Sequence, residues 1–312
     1  MVEYMKYKIL SLLPVAVGIS FITFALAYLA PGDPAELILE HAGSMVASEA
    51  DMGQFREQLG IDKPFIIQYF LWLEGLLYGD LGISFQTGRT VVEEIRCHLP
   101  YTLMVAVPAI FCTFISSLVY GFLLNCYMGT GKGKVLSLVG KICISLPGFL
   151  VSMLLIYLFS EVLGLLPSSG LNDLSSLILP SIALSLISSA MMGQVLNRQL
   201  IQEMDKYYCA VARLRGLTRK RIILEYALPN AFMPVVAMLG NYAGAILGGS
   251  VVVEYIFAVP GLGSMALDAI HFRDYPLLQG YVLFTGIVYV TVTALVDIIL
   301  YGINPKMYLN DR

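Results

Sequence analysis

The run Gly129-Thr-Gly-Lys-Gly-Lys134 contains the residue types of a phosphate-binding loop. Such a loop holds phosphates with glycine backbone N–H groups, and it needs a Gly five residues before the Gly-Lys pair and a Ser or Thr after it. For Lys134 the required glycine position holds Met128, and Val135 follows instead of a hydroxyl residue. No strand pattern precedes the run. The sequence therefore predicts a basic turn, and we expect no nucleotide or other cofactor bound by this chain.

The three histidines are the side chains best suited to a borderline metal such as nickel. They are His41, His98 and His271, and all three fall between the long apolar runs. No two of them have the spacing of a metal site, so we expect no metal bound by this chain. The five cysteines likewise indicate no disulfide framework.

Asp297 lies deep in an apolar run near the end of the chain. A carboxylate inside a membrane span is a functional hypothesis by default, because its burial in lipid is costly. An ion pair or a cap near the end of a helix is the structural alternative. Both interpretations remain open at this point.

The most polar segment between long apolar runs extends from 205 to 230. It reads Asp-Lys-Tyr-Tyr-Cys-Ala-Val-Ala-Arg-Leu-Arg-Gly216, then a basic turn at 219–221, then Tyr-Ala-Leu-Pro-Asn230. Gly216 can adopt the left-handed conformation that ends a helix, and Pro229 suits the first turn of the next helix. The pattern predicts a short cationic helix, a turn and a second helix that a soluble partner could bind. A basic loop that only fixes topology is the simpler alternative.

Composition indicates the elements that position these residues. The 312 residues are 58% hydrophobic and 13% charged, with a mean hydropathy of +0.77, so lipid is the solvent for most of the chain. A spanning helix needs roughly 20 apolar residues. Runs that qualify lie near 9–29, 102–125, 142–160, 177–196, 231–253 and 280–302. The sequence therefore predicts an all-α, multi-pass protein of the cell membrane with six transmembrane helices.

Basic residues indicate the orientation. Fourteen of the nineteen Lys and Arg residues lie at the N-terminus, in the 126–141 turn, in the 198–229 loop or at the C-terminus. By the positive-inside rule these segments, including both termini, are cytosolic. The net charge of −3 says little, because the charges are sorted by side rather than spread. We expect no nucleic-acid partner.

The predicted organisation has four parts. They are a first transmembrane helix at 1–30, an extracytoplasmic insertion at 31–99, a five-helix core at 100–303 that includes the cytosolic loop 198–229, and a cytosolic tail at 304–312. The insertion holds eleven of the 22 acidic residues, which indicates a hydrated, anionic surface. Its segment 64–78 is apolar but too short to span, and it contains the Tyr and Trp residues typical of the headgroup level. We expect one helix there, lying on the outer leaflet or packed against the bundle, and a second short helix at 90–96.

Gly240, Gly244 and Gly248 recur every four residues along the fifth predicted span. A stripe of small residues lets another helix approach closely in a membrane. Packing within the chain, contact with a partner subunit and a lining of the transport pathway all remain open.

Segment 205–230 resembles the signature cytosolic loop of ABC importer permeases, in which a Glu-Ala-Ala box precedes a Gly and a distal Leu-Pro pair. Ala210, Val211 and Tyr226 depart from the ideal letters. The dipeptide, oligopeptide and nickel branch fits better, and the residues that match it are Tyr208, Ala212, Arg213, Arg215, Gly216, Leu228, Pro229 and Asn230. Three further segments resemble the same branch, namely Gly79-Asp-Leu-Gly-x-Ser84, the 254–263 run and Arg273-Asp-Tyr-Pro276. The resemblance therefore covers nearly the whole chain.

The resemblance implies a type I ABC importer in which this chain is a non-catalytic translocation subunit. Its partners would be a second homologous permease, two cytosolic ATPases that bind ATP and Mg, an extracytoplasmic binding protein and the lipid bilayer. The matching loop residues would couple ATPase motion to transport. The cargo would be a dipeptide, an oligopeptide or nickel, free or chelated, and segments 82–85 and 212–217 resemble nickel permeases slightly more. An ion-coupled secondary transporter is the alternative, and it would need carboxylates near the midplane or broken helices in matching halves.

Overall fold

The computed structural model describes residues 14–25, 28–29, 63–171 and 173–303, and their regular structure is helical. The helices are α1 (Pro14–Ala25), α2 (Phe65–Leu77), α3 (Val91–Cys126), α4 (Gly131–Ser145), α5 (Gly148–Leu155), α6 (Ile178–Met204), α7 (Tyr207–Leu214), α8 (Arg219–Ile222), α9 (Leu228–Ala231), α10 (Met233–Leu247), α11 (Val251–Ile256), α12 (Leu262–His271) and α13 (Tyr275–Ile303). Wider π-helical turns follow α5 at Ile156–Val162 and α8 at Ile223–Ala227, and a 3₁₀ turn at Leu174–Leu177 leads into α6.

Within the described part of the chain, three helices are long and apolar enough to cross a membrane. They are α3, α13 and α6 with its leading turn, and two bent pairs of helices raise the possible number to five. Of the first predicted span the structure describes α1, a shorter apolar helix, and residues 1–13 and 304–312 lie outside the described residues. The all-α membrane fold agrees with the sequence, while six spans and cytosolic termini stay predictions.

Two predicted spans are bent rather than straight. The 142–160 run is divided at Pro147, where α4 leaves α5 at an angle of 106°. The cause is local, because a proline disfavours helical geometry at the residue before it, and Leu146 is extended with φ −81° and ψ 135°. The 231–253 run starts at a 50° bend between the helical stretch Arg219–Ala231 and α10, and it is interrupted between the end of α10 at Leu247 and the start of α11 at Val251.

The insertion contains the short apolar helix predicted at 64–78 as α2, and its interfacial position stays a prediction. This helix packs on α1, with Ser20 Oγ 2.9 Å from Tyr69 OH and the rings of Phe24 and Phe65 5.5 Å apart. The separate short helix expected at 90–96 is wrong, because α3 begins at Val91 and continues to Cys126. A capping box of Thr90 and Glu93 starts this helix, and a continuous helix satisfies the backbone groups that lipid cannot.

Close approaches at glycines hold the helices together. A Cβ built on Gly121 of α3 would lie 2.8 Å from the carbonyl oxygen of Gly193 in α6, so only glycine permits this crossing. The predicted stripe lies against α13 of the same chain. Built Cβ atoms on Gly240, Gly244 and Gly248 would lie 2.6 Å from Val296, 3.0 Å from Tyr289 and 3.1 Å from Thr285.

Candidate functional site

Helix α7 lies in the middle of the polar segment and has two different faces. Cys209 and Ala212 are buried in a hydrophobic cluster that also contains Leu200 at the end of α6 and Ile222 of α8, and the cluster extends to Val235 in α10. On the other side Tyr207 and Leu214 are 84% and 89% exposed. The buried face therefore attaches α7 to the end of α6, to α8 and to the π-helical turn Ile223–Ala227. The exposed face presents Leu214.

The turn after α7 has the geometry that the sequence predicts. Gly216 has φ +78°, its N–H donates to the Arg213 carbonyl at 2.9 Å, and the Leu217 N–H donates to the Ala212 carbonyl at 3.3 Å. These two bonds form a Schellman motif, and Leu217 packs on the cluster that contains Ala212. A Cβ on Gly216 would meet no atom within 4 Å. The requirement for glycine is therefore conformational and not steric.

Glu203 anchors the start of α7, a role that the sequence analysis missed. Its buried carboxylate accepts a hydrogen bond from Tyr208 OH and lies 2.7 Å from Lys206 Nζ. Asn230 Nδ2 donates to Tyr208 OH at 3.4 Å and to the Tyr226 carbonyl at 3.1 Å. The predicted residues Tyr208 and Asn230 thus meet, and they connect α6, α7 and α9. Burial, followed by the bond to Glu203, raises the pKa of the Tyr208 phenol well above its usual range.

The arginines of the segment have different environments. Arg213 donates to the Met204 carbonyl, and Arg219 donates to the Asn125 carbonyl at the end of α3 at 3.3 Å. Both line a cavity of about 360 Å³ together with Asp205. Arg215 is exposed and is the C-cap residue of α7. Arg213 therefore holds the segment to its own chain, and Arg215 is the more available of the two for a partner.

The remaining predicted residues of the segment are Leu228 and Pro229 at the start of α9. Leu228 is partly buried against the same hydrophobic cluster as Ala212, and Pro229 is exposed in the first turn. Proline is favoured there because the first turn of a helix has no intrahelical use for its N–H groups.

Glu254 is a second buried carboxylate whose role the sequence did not indicate. It accepts hydrogen bonds from Ser250 N at 3.0 Å, Gly263 N at 2.7 Å and Ser264 N at 3.2 Å, and from Thr102 Oγ1 of α3 at 3.2 Å. The carboxylate lies at the N-terminus of α12, where free N–H groups favour negative charge. The 254–263 run is therefore closed around its own glutamate.

Asp274 joins two motifs that are distant in sequence. Its carboxylate accepts hydrogen bonds from Ser84 Oγ at 2.5 Å and Gln86 N at 3.3 Å in the insertion, and from Leu277 N at 3.2 Å in the first turn of α13. Asp274 thus caps α13 and holds the 79–84 motif against it.

The described residues contain no group of three His, Cys, Asp or Glu side chains that could hold a metal ion. His98 Nδ1 lies 2.8 Å from the Glu94 carbonyl, and His271 is exposed at the end of α12. His41 lies outside the described residues. Asp297 is partly buried in α13.

Comparison with protein families decides the class. A model described as binding-protein-dependent transport system inner membrane component matches residues 117–308, and the model of the N-terminal part of such components matches residues 1–106. The chain belongs to this family. It is therefore a transport permease of the inner membrane rather than an enzyme.

Individual relatives agree with this assignment. The glutathione transport system permease protein GsiC of Escherichia coli and that of Salmonella typhi are each 32% identical to this permease over 307 residues, which cover 98% of this chain and 99% of the relative. Among solved structures, an inward-facing conformation of the MetNI methionine ABC transporter superposes with a TM-score of 0.58 at 17% identity, covering 68% of this chain and 97% of that chain. A second crystal form of that transporter gives a TM-score of 0.56. The permease therefore has the membrane-domain fold of an ABC importer.

Proposed function

We propose that α7 of this permease receives the motion of a cytosolic ATPase and passes it to the membrane helices. The observation that carries the proposal is the division of α7 into an exposed face with Tyr207 and Leu214 and a buried face in the cluster shared with α6 and α10. The anchor at Glu203 and the turn at Gly216 fix both ends of α7. A displacement of α7 would therefore move the end of α6 directly, and it would reach α10 through the turn Ile223–Ala227 and α9.

The proposed complex contains this permease, a second homologous permease, two ATPase subunits and an extracytoplasmic binding protein. Membership of a binding-protein-dependent family supports the last component. ATP and Mg would be held by the ATPases, because the 129–134 run lacks the residues of a phosphate-binding loop. Arg215 and the exposed face of α7 would contact the ATPase, since a guanidinium suits carboxylates at an interface.

The cargo that we propose is a small peptide of the size of glutathione. The relatives are glutathione transport system permeases, which supports a peptide over nickel. The described residues also offer no cluster of metal ligands. Free or chelated nickel remains the second candidate, because segments 82–85 and 212–217 resemble nickel permeases. Uptake of glutathione, a dipeptide and nickel by one reconstituted complex, each with and without competing unlabelled cargo, distinguishes the two.

The ion-coupled secondary transporter is the weaker alternative, because family membership assigns the chain to ATP-driven systems. Energy source separates the two classes. Uptake that stops on ATP depletion and continues without an ion gradient supports our proposal. Uptake that continues without ATP and stops when the gradient collapses contradicts it.

The coupling role is tested by Gly216→Val. A β-branched residue resists the left-handed conformation at a cost of about 1–2 kcal/mol, so we expect the turn after α7 to change. Transport should fall, and ATP hydrolysis should lose its stimulation by the loaded binding protein, while the complex still assembles. Gly148→Val is the matched control, because a Cβ there also meets no atom within 4 Å but Gly148 does not have positive φ. Normal stimulated hydrolysis and uptake in Gly216→Val would show that the coupling assignment is wrong.

A further inference from the structure

A cationic groove lies between α4 and α6, beside the segment that contains α7. Its volume is about 660 Å³, and the polar side chains that line it include Lys134 and Lys141 of α4 and Gln194, Asn197 and Arg198 of α6. Met128 lines both this groove and the 360 Å³ cavity next to Arg213. The groove is therefore at the same end of the bundle as the proposed coupling segment.

The charge of the groove is uncompensated within the described residues. Lys134 and Lys141 are seven residues apart, so they lie on one side of α4 two turns from each other, and Arg198 faces them from α6 among the lining residues. No Asp or Glu lines the groove, and none of these three cations has an ion pair with a described residue. Three positive charges around one cavity suit an anion such as a phosphate, which Lys and Arg bind with charge-assisted hydrogen bonds.

A buried oxygen in the groove also needs a partner. Asn197 Oδ1 and, about one turn earlier on α6, Gln194 Nε2 are buried without a hydrogen-bond partner among the described residues, and each amide meets an occupant of the groove only by turning toward it. An unpaired buried acceptor is costly, and most such atoms in folded proteins have a donor from protein, water or ligand. A carbonyl oxygen needs a hydroxyl or N–H group and gains nothing from a phosphate oxygen. The occupant should therefore carry a donor as well as a negative charge.

The outer surface of α4 is apolar. Val135, Leu138, Val139 and Ile142 are exposed at helical spacing, while Gly133 and Gly140 face the protein. The axes of α4 and α5 differ by 106°. Helix α4 therefore runs across α5 and does not continue it. An exposed apolar stripe next to lysines is the pattern of a helix that lies in the membrane interface and contacts acyl chains.

We propose that this groove binds the headgroup of an anionic phospholipid with free hydroxyls, of the phosphatidylglycerol type. The phosphate accepts hydrogen bonds from Lys134, Lys141 and Arg198, and a glycerol hydroxyl donates to Asn197 Oδ1. The acyl chains cover the apolar stripe of α4. The lipid would connect α4 to α6 near Met128, next to the segment that carries α7, and lipid composition would then influence coupling.

The test measures lipid retention by the purified transporter complex in native mass spectrometry, during titration with phosphatidylglycerol, phosphatidic acid or phosphatidylcholine. We expect the complex to retain phosphatidylglycerol most strongly. In the double variant Lys134→Gln and Lys141→Gln its apparent affinity should fall roughly 25-fold, since each basic residue near an anionic lipid contributes about fivefold. The matched control is Lys132→Gln with Lys220→Gln, which removes two exposed cations that do not line the groove and should leave the affinity unchanged. Size-exclusion profiles confirm that both variants assemble.

A second variant tests the contact of the glycerol hydroxyl separately from the contacts of the phosphate with the basic residues. Asn197→Leu should lower retention of phosphatidylglycerol to the level of phosphatidic acid, whose phosphate carries no glycerol headgroup. Equal retention of phosphatidylglycerol and phosphatidylcholine by the unmodified complex would overturn the proposal, and so would equal losses in the groove and control variants. Displacement of phosphatidylglycerol by millimolar glycerol 3-phosphate would show a site for a soluble phosphate instead of a lipid. Loss of the ATPases from the groove variant, with lipid retention intact, would assign the groove to an acidic protein surface.

Discussion

Glu203 and Tyr208 determine how α7 begins. A buried carboxylate is stable only where charge and hydrogen bonds compensate its lost hydration, and Lys206 Nζ and Tyr208 OH supply both. The phenol in turn accepts from Asn230 Nδ2. Since Tyr208 and Asn230 both belong to the family motif, the structure gives a physical reason for their chemical types: one donates to Glu203, and the other connects that bond to α9.

Tyr208→Phe should loosen α7 without preventing folding. The substitution removes a hydrogen bond to a charged group, which contributes about 1.5–3 kcal/mol, and leaves Glu203 with Lys206 as its partner. Cys209 is 0% exposed in α7, so local opening can be measured as its rate of alkylation, which should rise about tenfold or more. Tyr207→Phe is the control, because Tyr207 is 84% exposed. Equal alkylation rates in the two variants would contradict the anchoring role.

The thiol of Cys209 also has a predicted pH dependence. Burial, partly offset by Arg213, raises the pKa of Cys209, so the folded protein holds less of the reactive thiolate at neutral pH than an exposed cysteine does. Alkylation of Cys209 should therefore be slower than that of the exposed Cys97 and should reach its plateau at higher pH. Mass spectrometry of the two tryptic peptides across pH 7 to 10 measures both rates in one sample. Coincident profiles would contradict this environment for Cys209.

At the scale of elements, Glu254 determines the position of α12. Its four hydrogen bonds come from Ser250 at the N-cap of α11, from the start of α12 and from α3. A built Cβ on Gly261 would lie 2.4 Å from Glu254 Oε2, so the loop approaches the carboxylate too closely for a side chain. The absence of side chains at the glycines of the 254–263 run therefore lets the backbone N–H groups of the loop come within hydrogen-bond distance of the Glu254 carboxylate.

Glu254→Gln should destabilise this region by about 3 kcal/mol. The amide replaces one acceptor oxygen with a donor that faces existing donors, and hydrogen bonds to a charged group contribute about 1.5–3 kcal/mol each. The melting temperature of the purified complex should fall clearly. Glu225→Gln is the control, because Glu225 is exposed and pairs with Arg221 at 2.7 Å, a kind of pair that contributes at most about 1 kcal/mol. If both variants melt together, Glu254 does not organise the loop.

Local sequence signals predicted the elements that depend on neighbours in the chain. The short apolar helix at 64–78 and the helix end at Gly216 follow from residues within a few positions, and the structure contains both. The roles of Glu254 and Asp274 were missed because a partner of each is remote: Thr102 lies 152 residues from Glu254, and Ser84 lies 190 residues from Asp274. No pattern within one segment indicates such a pair. Glu203 was missed although Lys206 and Tyr208 are close in sequence, because nothing in the sequence shows that its carboxylate is buried. The division at Pro147 was missed although its signal is local, because mean hydropathy does not register where a helix breaks.

At the scale of the molecule, α3 connects the two ends of the permease. Near its start Thr102 accepts from Leu262 N at 2.8 Å and donates to Glu254. At its other end the Asn125 carbonyl accepts from Arg219 beside the proposed coupling segment. A helix of 36 residues is roughly 54 Å long at 1.5 Å per residue. One continuous element thus contacts both the 254–263 loop and the segment that contains α7, and Gly121 joins it closely to α6.

The transport pathway through the permease should not distinguish metal ions from peptides. His98 Nδ1 is engaged with the Glu94 carbonyl, His271 lies at the other end of α12 from the Glu254 cluster, and the described residues contain no group of three metal ligands. Replacement of His41, His98 and His271 by Gln should therefore change nickel uptake and dipeptide uptake by the same factor, within about twofold. The binding protein would then set selectivity by delivering a closed ligand. Both uptakes are measured in the same proteoliposomes, with complex assembly checked by size exclusion. A selective loss of nickel uptake, with dipeptide uptake and assembly intact, would establish a metal site in this chain and make nickel the better candidate for its cargo.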